Sequence, residues 1–388
     1  MKKLILIFFA PLKYVYLKKD VGLFPIYFKQ QYFDKVELLC FEKDNDVPDF
    51  FRGVEIKIIS KEKFSYVSSR IKELRRNLKK NDYVIDYLNK NKDITHVMMM
   101  HATLEHLLLC KKIKKIFPSV KSYIKFDSDA DSCEYFVSRR NILFSFIRNK
   151  CIDSVDLFSI ESELALDILK KKKEIVDKIF YVPNGYDDEL LTDVDFEKKK
   201  RQIITVGRLG TYQKNTELLL DILSCIDLKD WTVKLVGSIE ADFYSKINKF
   251  YNEHPQLREK IMFTGVISDV KKMAQLYAES SVFILTSRLE GSALVIIESA
   301  INGDYIISTD VGAIRQISSD KDFCFIIPES TQKQQNHEKL KMAFVNKLQQ
   351  IIDGDNSFDK IKEQVEYCRE NFLMSNIIQF SCFKDWIG

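Results

Sequence analysis

The sequence is poor in glycine and proline and carries no excess of either charge. Only 12 of the 388 residues are glycine and 7 are proline, a composition that excludes collagen-like and low-complexity chains. The 60 Lys and Arg nearly balance the 56 Asp and Glu, so the net charge of +4 gives no reason to expect a nucleic-acid partner. With 46% hydrophobic residues, the chain is long enough for two domains with full cores.

The sequence also lacks cysteine motifs and long apolar runs. Its eight cysteines include no C-x-x-C pair, and no Cys/His group has the spacing of zinc ligands. We therefore predict free thiols in a reducing cytoplasm. No stretch approaches the ~20 apolar residues of a membrane-spanning helix. Residues 4–10 resemble the apolar core of a signal sequence, but Pro11 follows without a small-residue cleavage site, so we predict a buried first strand.

Short apolar runs alternate with longer amphipathic segments along the whole chain. The strands predicted in the first half are residues 4–9, 36–41, 54–59, 95–100, 122–126, 157–160 and 179–182. Those predicted in the second half are residues 203–206, 232–236, 261–263, 282–286, 305–308 and 323–326. Because helical patterns separate them, the strands should form parallel sheets covered on both faces. Turn residues at 183–185 and a charged run at 198–201 mark a boundary, so we expect two doubly wound, Rossmann-like α/β domains that face each other across a ligand cleft.

The most informative segment, residues 286–298, leads from a predicted strand into a helix predicted at 292–301. Gly291 suits a tight turn that exposes backbone amides at the start of the helix, where anions bind. Glu290 lies at this turn and Glu298 lies two turns into the helix. Carboxylates accept strong charge-assisted hydrogen bonds, so the pair suits a hydroxyl-rich ligand. The alternative is two exposed surface glutamates.

A second loop carries positive charge. The first predicted strand of the second domain ends at Gly207, and Arg208 and Lys214 follow six residues apart. Two cations in such a loop fit a diphosphate, since arginine supplies a fork of donors and lysine a point charge. The alternative is a pair of solvated cations. Both loops should lie at the carboxyl edge of one parallel sheet, where cations and carboxylates together match the diphosphate and polyol halves of a sugar nucleotide.

These residues resemble a known family. Glu290 and Glu298 form the E-x7-E pattern of retaining GT-B glycosyltransferases of the family 4 type, also described as glycosyl transferases group 1. Residues 206–209 together with Lys214 are similar to the family's G-R-L…K element, and residues 182–187 resemble its N-G-x-D entry to the interdomain linker. The resemblance covers most of the chain.

The resemblance implies a GT-B fold with four segments. They are an acceptor-binding Rossmann-like domain at 1–183, a linker at 184–201, a nucleotide-sugar-binding Rossmann-like domain at 202–370, and a helix at 371–388 that crosses back to the first domain.

The resemblance also implies roles for the site residues. Arg208 and Lys214, beside Gly207, would bind the donor diphosphate and stabilise the charge that develops on it as it leaves. Glu298 would accept hydrogen bonds from the ribose hydroxyls, and Glu290 from hydroxyls of the donor sugar. Backbone amides of four residues would help to bind phosphate and sugar: Gly291, Ser292, Ala293 and Leu294. The cationic loop would replace the metal of other glycosyltransferases, so no metal or other cofactor is expected.

The first domain offers fewer candidates. The resemblance implies a contact with the donor phosphate for Gly22 and a position near the reacting centre for His101, which follows a predicted strand. Asp127 follows the next strand and would accept a proton or orient an acceptor hydroxyl. The alternatives are a polar cap at a strand end and a solvated acidic loop. Asp127 and Asp129 also form D-x-D, the metal-binding signature of the other main glycosyltransferase fold.

Two segments are rich in basic residues interleaved with apolar ones. Residues 61–80 hold eight Lys and Arg against Glu62 and Glu73, and residues 111–115 hold four lysines. Two interpretations stay open. One is an ordinary solvated helix face, and the other is a face that lies on anionic lipid at the inner side of a membrane, beside a lipid-linked acceptor.

The residues and the resemblance together predict a glycosyltransferase of the hexosyltransferase type. It would move a sugar from a nucleotide-diphosphate donor, with a UDP-sugar favoured, to a hydroxyl of a glycan, glycolipid or other acceptor. The expected setting is the bacterial synthesis of surface polysaccharide or glycoconjugate. Two alternatives stay open: a sugar-nucleotide epimerase or phosphorylase on the same fold, and a non-catalytic partner subunit of a glycosyltransferase complex.

Overall fold

The computed structural model describes residues 2–60, 62, 64, 69–138, 142–318, 323–327, 337–354 and 360–388. The chain divides into two compact units. Unit 1 consists of Met1–Gly185 together with Met374–Gly388, and unit 2 consists of Tyr186–Leu373.

Each unit is built on a largely parallel sheet. The strands, in chain order, are β1 (Lys3–Phe8), β2 (Lys35–Cys40), β3 (Phe50–Phe51), β4 (Val54–Ile58), β5 (His96–Met100), β6 (Lys121–Lys125), β7 (Leu157–Ile160), β8 (Ile179–Tyr181), β9 (Gln202–Val206), β10 (Thr232–Val236), β11 (Ile261–Gly265), β12 (Val282–Leu285), β13 (Tyr305–Thr309) and β14 (Cys324–Ile327). Within the described residues, the sheet of unit 1 has the order β3-β4-β2-β1-β5-β6-β7-β8 and that of unit 2 the order β11-β10-β9-β12-β13-β14. Every pairing is parallel except that of β3 with β4. The predicted α/β class and parallel sheets are therefore confirmed, and the prediction lacks only the two-residue strand β3.

Helices connect the strands. They are α1 (Asp20–Gln31), α2 (Arg70–Lys90), α3 (Leu104–Ile116), α4 (Ala130–Val137), α5 (Ile142–Ile152), α6 (Glu163–Lys170), α7 (Thr216–Ser224), α8 (Phe243–Glu253), α9 (Val270–Glu279), α10 (Leu294–Ile301), α11 (Ile314–Ser318), α12 (His337–Ile352), α13 (Ile361–Phe372), α14 (Met374–Ile377) and α15 (Ser381–Ile387).

Alternation along the central strands explains how each sheet is covered on both faces. In β1, Leu4 and Leu6 join one buried cluster while Ile5 and Ile7 join the cluster on the opposite side of the sheet. Successive side chains of a strand point to opposite faces, so a continuous apolar run requires a layer of helices on each side. The apolar run of β1 therefore predicts a unit of three layers, in which the sheet lies between two layers of helices.

The end of the chain completes the core of unit 1. Phe383 and Trp386, on α15, are buried in the same cluster as Leu4 and α1. The ring of Phe383 lies 5.1 Å from that of Phe28, and the ring of Trp386 lies 5.5 Å from that of Tyr123. These aromatic contacts attach the last helix to the first unit. The sequence places the start of this segment at residue 371, whereas the contacts of unit 1 resume at Met374.

The stretch predicted as a linker, 184–201, packs on unit 2 from Tyr186 onward. The ammonium of Lys199 is buried, donates to the backbone carbonyls of Ser280 and Asn302, and lies 3.4 Å from the carboxylate of Asp304. The sequence predicts that the charged run 198–201 is solvated. Nothing in it indicates that the side chain of Lys199 points inward. The stretch from Tyr186 onward therefore belongs to unit 2, and the bounds of the linker stay a prediction.

Among the described residues of the basic segments, one lysine is buried, and three others form ion pairs. Lys80, counted in the basic face of 61–80, is buried and donates to the carbonyl of Phe9 at 2.5 Å, and burial lowers its pKa to about 8. Lys79, Lys112 and Lys114 form ion pairs with nearby carboxylates. Three other members of the run lie outside the described residues, wholly or in their side chains: Lys61, Lys63 and Arg70.

Two further predictions concern cysteines and membrane spans. All eight cysteines lie in the described part of the chain and none forms a disulfide, which confirms the predicted free thiols. Among the helices described, none has both the length and the apolar character needed to cross a bilayer.

Two buried histidines give unit 1 a predictable dependence on pH. Burial lowers the pKa of His96 and of His106 to about 4, whereas both titrate near 6.5 in the unfolded chain. Below pH 6.5 the unfolded chain binds more protons, so each histidine lowers the free energy of unfolding as the pH falls from about 6.5 toward 4, by up to roughly 1.4 kcal/mol per pH unit.

We expect His106→Asn to remove one of these contributions. The difference in unfolding free energy between the wild type and this variant, measured by urea titration, should therefore change by about 2 kcal/mol between pH 7 and pH 5. A constant difference for His106→Asn would contradict the prediction.

Candidate functional site

The cationic and acidic loops of unit 2 lie next to each other at the carboxyl edge of its sheet. Strands β9 and β12 are neighbours, and the order of the sheet reverses between them. Gly207 and Arg208 follow β9, while residues 286–290 follow β12. Ligands of such sheets bind where the strand order reverses. The topology therefore places both sequence-predicted loops where a ligand would be expected.

Lys214 and Glu290 form the centre of this region. The ammonium of Lys214 lies 2.5 Å from one carboxylate oxygen of Glu290, and the side chains are 14% and 8% exposed. Gly207 leaves the space for this lysine, because a Cβ on residue 207 would lie 2.8 Å from the Cε of Lys214. A side chain at position 207 would therefore displace the end of the lysine side chain from its present place beside β9.

Gln213 links this ion pair to Arg208. Its side-chain carbonyl accepts a hydrogen bond from Arg208 at 2.8 Å, and its amide nitrogen donates to the second carboxylate oxygen of Glu290 at 3.2 Å. The hydroxyl of Ser287 donates to the first oxygen of Glu290 at 2.7 Å. Three of the four charged residues predicted from the sequence therefore belong to one hydrogen-bonded network.

Glu298 lies on α10, and its carboxylate accepts a hydrogen bond of 2.9 Å from the hydroxyl of Tyr277 on α9. Tyr277 is fully buried, and burial together with this carboxylate holds the pKa of its hydroxyl well above the usual value. The phenol therefore stays a hydrogen-bond donor at neutral pH. The amide of Asn302 donates to the backbone carbonyl of Glu298 at 2.8 Å, which fixes the same turn of the helix.

The turn before α10 differs from the prediction. The helix begins at Leu294 rather than at residue 292, because Ala293 adopts a left-handed conformation with φ of 51°. Gly291 and Ser292 consequently belong to the loop. The hydroxyl of Ser292 is buried and has no hydrogen-bond partner among the described residues. A strained backbone residue and an unsatisfied hydroxyl next to the first amides of a helix are typical of a binding site.

In unit 1, His101 directly follows β5, and Asp127 lies two residues after the end of the neighbouring strand β6. Both adopt left-handed backbone conformations, with φ of 66° and 45°. The Nδ1 of His101 lies 3.9 Å from a carboxylate oxygen of Asp127, and both side chains are about half exposed. Such strain in residues other than glycine is concentrated at functional sites.

Gly22, for which the resemblance implies a contact with the donor phosphate, lies within a helix. It is buried in the first turn of α1, where a Cβ would lie 2.0 Å from the carbonyl oxygen of Leu17. The absence of a side chain serves this close approach of backbone to backbone. The packing of α1 against the backbone of Leu17 therefore explains why residue 22 is a glycine.

The D-x-D pattern separates in the structure. Asp129 caps α4 by accepting a hydrogen bond from the backbone amide of Ser132 at 2.7 Å, while Asp127 faces His101. Throughout the part of the chain that the structure describes, no three His, Cys, Asp or Glu side chains are grouped as metal ligands would be. The expectation that no metal is needed stays a prediction.

A buried charge cluster below Asp127 escaped the sequence analysis. The ammonium of Lys125 lies 3.2 Å from Asp20 and 3.4 Å from Glu161, and all three side chains are buried. Burial raises the pKa of Asp20 to about 6. Glu161 also accepts the backbone amide of Ser128 at 2.9 Å, which braces the residue that follows Asp127.

The sequence analysis missed three other residues that hold the predicted ones: Gln213, Ser287 and Tyr277. Ser287 lies within the segment 286–298, and Gln213 lies between Arg208 and Lys214. Their polar side chains, next to the predicted charged residues, were the signal that could have identified them. Tyr277 is distant in sequence and carries no such signal.

The second unit matches a known family. Residues 200–346 match the family described as Glycosyl transferases group 1. The matched stretch lies within unit 2 and contains the four predicted charged residues: Arg208, Lys214, Glu290 and Glu298.

Two relatives are similar over different shares of the chain. The amylovoran biosynthesis glycosyltransferase AmsD of Erwinia amylovora is 36% identical over 106 residues, which cover 27% of this chain and 28% of that protein. The GtfA subunit of the UDP-N-acetylglucosamine–peptide N-acetylglucosaminyltransferase of Streptococcus pneumoniae is 23% identical over 323 residues, covering 82% of this chain and 59% of the relative. The chain therefore spans less than two thirds of the length of either relative.

Solved structures match over nearly the whole chain. Sucrose-phosphate synthase of Thermosynechococcus elongatus is similar with a TM-score of 0.73 at 16% identity, covering 97% of this chain and 96% of that one. The apo form of the lipopolysaccharide outer core galactosyltransferase WaaB has a TM-score of 0.67 at 17% identity and covers 99% of both chains. At such identities the likeness shows the fold. The chain therefore has the GT-B fold, and its residues 200–346 carry a glycosyl transferases group 1 domain.

Proposed function

We propose that the protein is a retaining glycosyltransferase that moves a hexosyl group from a nucleotide-diphosphate donor to a hydroxyl of a glycan or lipid-linked acceptor. The observation that carries this proposal is the network of Arg208, Gln213, Lys214 and Glu290 at the carboxyl edge of the sheet of unit 2. It joins two cations and a carboxylate at the position where the fold binds ligands.

The cations would bind the donor diphosphate. Arg208 is exposed at the edge of the sheet and offers a fork of donors, while Lys214 offers a compact charge. When phosphate oxygens take the place of Glu290 beside Lys214, a carboxylate oxygen of Glu290 becomes available to a sugar hydroxyl. The same two cations would then stabilise the negative charge that grows on the diphosphate as the glycosidic bond breaks.

Glu298 would hold the ribose. Its carboxylate is fixed by the hydroxyl of Tyr277 and by the turn of helix that Asn302 secures. The backbone amides of the loop before α10 and the unpartnered hydroxyl of Ser292 would complete the contacts to phosphate and sugar.

The acceptor would be bound by unit 1. His101 and Asp127 present polar side chains at the carboxyl edge of its sheet, on a strained backbone that the Glu161 cluster braces. Asp127 would orient the acceptor hydroxyl or accept its proton. We assign no donor contact to Gly22, because its lack of a side chain serves the close approach of two backbone segments, and the proposal includes no membrane contact.

The names of the relatives support the substrate classes. One relative is named for a UDP-linked sugar, and another for the synthesis of the polysaccharide amylovoran. We therefore favour a UDP-sugar as the donor and bacterial surface polysaccharide synthesis in the cytoplasm as the setting.

The test is whether nucleoside diphosphate is released only when an acceptor is present. UDP-, GDP-, ADP- and dTDP-sugars are first compared by thermal shift, since a ligand of the folded protein raises its apparent stability. Release from the best donor is then measured with and without an acceptor glycan preparation. We expect acceptor-dependent release that a chelator leaves unchanged. Release or epimerisation without an acceptor would favour the epimerase or phosphorylase alternative, and binding of no sugar nucleotide would favour the non-catalytic subunit.

A further inference from the structure

We propose that Gln213 is a positioning residue that orients Glu290 toward the donor sugar, and that it thereby makes the site prefer a sugar nucleotide over the bare nucleoside diphosphate. This inference rests on the proposed function. Neither the predicted motif nor the family match assigns a role to this glutamine.

The side-chain amide of Gln213 has one stable orientation, because its carbonyl faces a donor and its NH2 group faces an acceptor. Its carbonyl faces the guanidinium of Arg208 at 2.8 Å, and its NH2 group faces the carboxylate of Glu290 at 3.2 Å. The same NH2 group donates to the backbone carbonyl of Leu289 at 3.1 Å. A reversed amide would set two donors against each other at one end and two acceptors at the other, so only one orientation is stable.

The loop that carries Gln213 is held without its side chain. The backbone amide of Arg288 donates to the backbone carbonyl of Gln213 at 2.8 Å, and the guanidinium of Arg288 donates to the carbonyl of Tyr212 at 2.6 Å. The hydroxyl of Thr286 donates to the carbonyl of Lys214 at 3.2 Å. Because these bonds join the two loops, removing the amide of residue 213 should leave the local fold intact.

The consequence for selectivity follows from the two oxygens of Glu290. Lys214 and Ser287 occupy one oxygen, and Gln213 occupies the other. Once Lys214 turns to the diphosphate, the contacts described here leave Ser287 and Gln213 to hold the carboxylate. Loss of Gln213 would then allow Glu290 to rotate away from the sugar. Lys214 would keep its contact with the diphosphate, and Arg208 would lose one acceptor but keep the charge and the donors that bind phosphate. The affinity for the sugar nucleotide should therefore fall, and the affinity for the bare nucleoside diphosphate should stay unchanged.

The test compares two ligands on one variant. Gln213→Met keeps the length of the side chain and removes its donor and acceptor. The dissociation constants of UDP-glucose and UDP, or of GDP-mannose and GDP if that pair gives the larger thermal shift, are measured by titration calorimetry. We expect about 10-fold weaker binding of the sugar nucleotide, the loss typical of a hydrogen bond to a charged group, and a change below about 2-fold for the diphosphate. The Michaelis constant for the donor should rise in the same proportion, with an unchanged melting temperature.

Gln275→Met, on the exposed face of α9, is the matched control and should change neither constant. Equal changes for the two ligands, or no change for either, would overturn the inference while leaving the proposed function in place. A wild-type protein that binds none of the UDP-, GDP-, ADP- and dTDP-sugars screened would overturn the proposed function, and the inference with it. A lower melting temperature together with equally weakened binding would also overturn it, since that pattern marks a structural role.

Discussion

Replacing Lys214 with alanine is expected to lower the turnover number by about 100-fold to 1,000-fold, the range found when one preorganised donor to a developing negative charge is removed. The ammonium is the partly buried cation of the network, 14% exposed. It would lie beside the leaving diphosphate, where its charge matters more in the transition state than in the bound donor. The turnover number and the Michaelis constant are measured by acceptor-dependent release of the diphosphate.

Arg208→Ala should have the same direction of effect, because it removes the second cation of the network. Lys249→Ala is the matched control, since Lys249 is a 74% exposed lysine of the same unit, and its turnover number should stay at the wild-type value. Wild-type rates in both Lys214→Ala and Arg208→Ala would contradict the roles assigned to the two cations.

Replacing Phe383 with alanine is expected to lower the free energy of unfolding of unit 1 by roughly 3–5 kcal/mol, the usual cost of removing a fully buried phenylalanine. The ring is 0% exposed and lies within 6.0 Å of the rings of Phe24, Phe28 and Tyr123. Its loss would leave a cavity between α1, the sheet and the last helix. The loss should be confined to unit 1, because the contacts of Phe383 belong to that unit.

The two tryptophans of the chain separate the units in this experiment. Trp386 lies in the core of unit 1, and Trp231 lies in that of unit 2. In a Trp231→Phe background, the fluorescence transition in urea should move to lower denaturant when Phe383 is replaced. Tyr244→Ala, at a 54% exposed position of unit 2, is the control and should leave the transition unmoved. An unchanged midpoint for Phe383→Ala would show that the last helix does not stabilise unit 1.

The pattern of apolar residues in the sequence was sufficient to predict the strands and the parallel sheets. The continuous apolar run of β1 predicts a strand buried on both faces, and the structure places it in the middle of a parallel sheet. The charges of Arg208, Lys214 and Glu290 were also readable, because glycine at a strand end and cations in the next loop point to an anion. The sheet order then explains why these loops meet.

Features that depend on the direction of one side chain were not readable. Nothing in the run 198–201 indicates that Lys199 turns inward to Asp304, and nothing in the run 61–80 indicates that Lys80 is buried against Phe9. A charged residue next to other charged residues looks solvated unless the tertiary structure supplies it with buried partners.

Left-handed backbone conformations were the second kind of feature that the sequence did not predict. The sequence predicts a helix that starts at Ser292, but Ala293 is left-handed and the helix begins at Leu294. His101 and Asp127 are likewise left-handed at two strand ends, although neither is glycine. Such conformations are imposed by tertiary contacts rather than by local preference.

The most direct test is a crystal structure of the protein with the nucleoside diphosphate of its best donor. We expect the diphosphate within hydrogen-bond distance of the side chains of Arg208 and Lys214, the ribose hydroxyls at the carboxylate of Glu298, and the Lys214–Glu290 ion pair opened. A nucleotide bound at another place, with Lys214 still paired to Glu290, would contradict the assignment of the site.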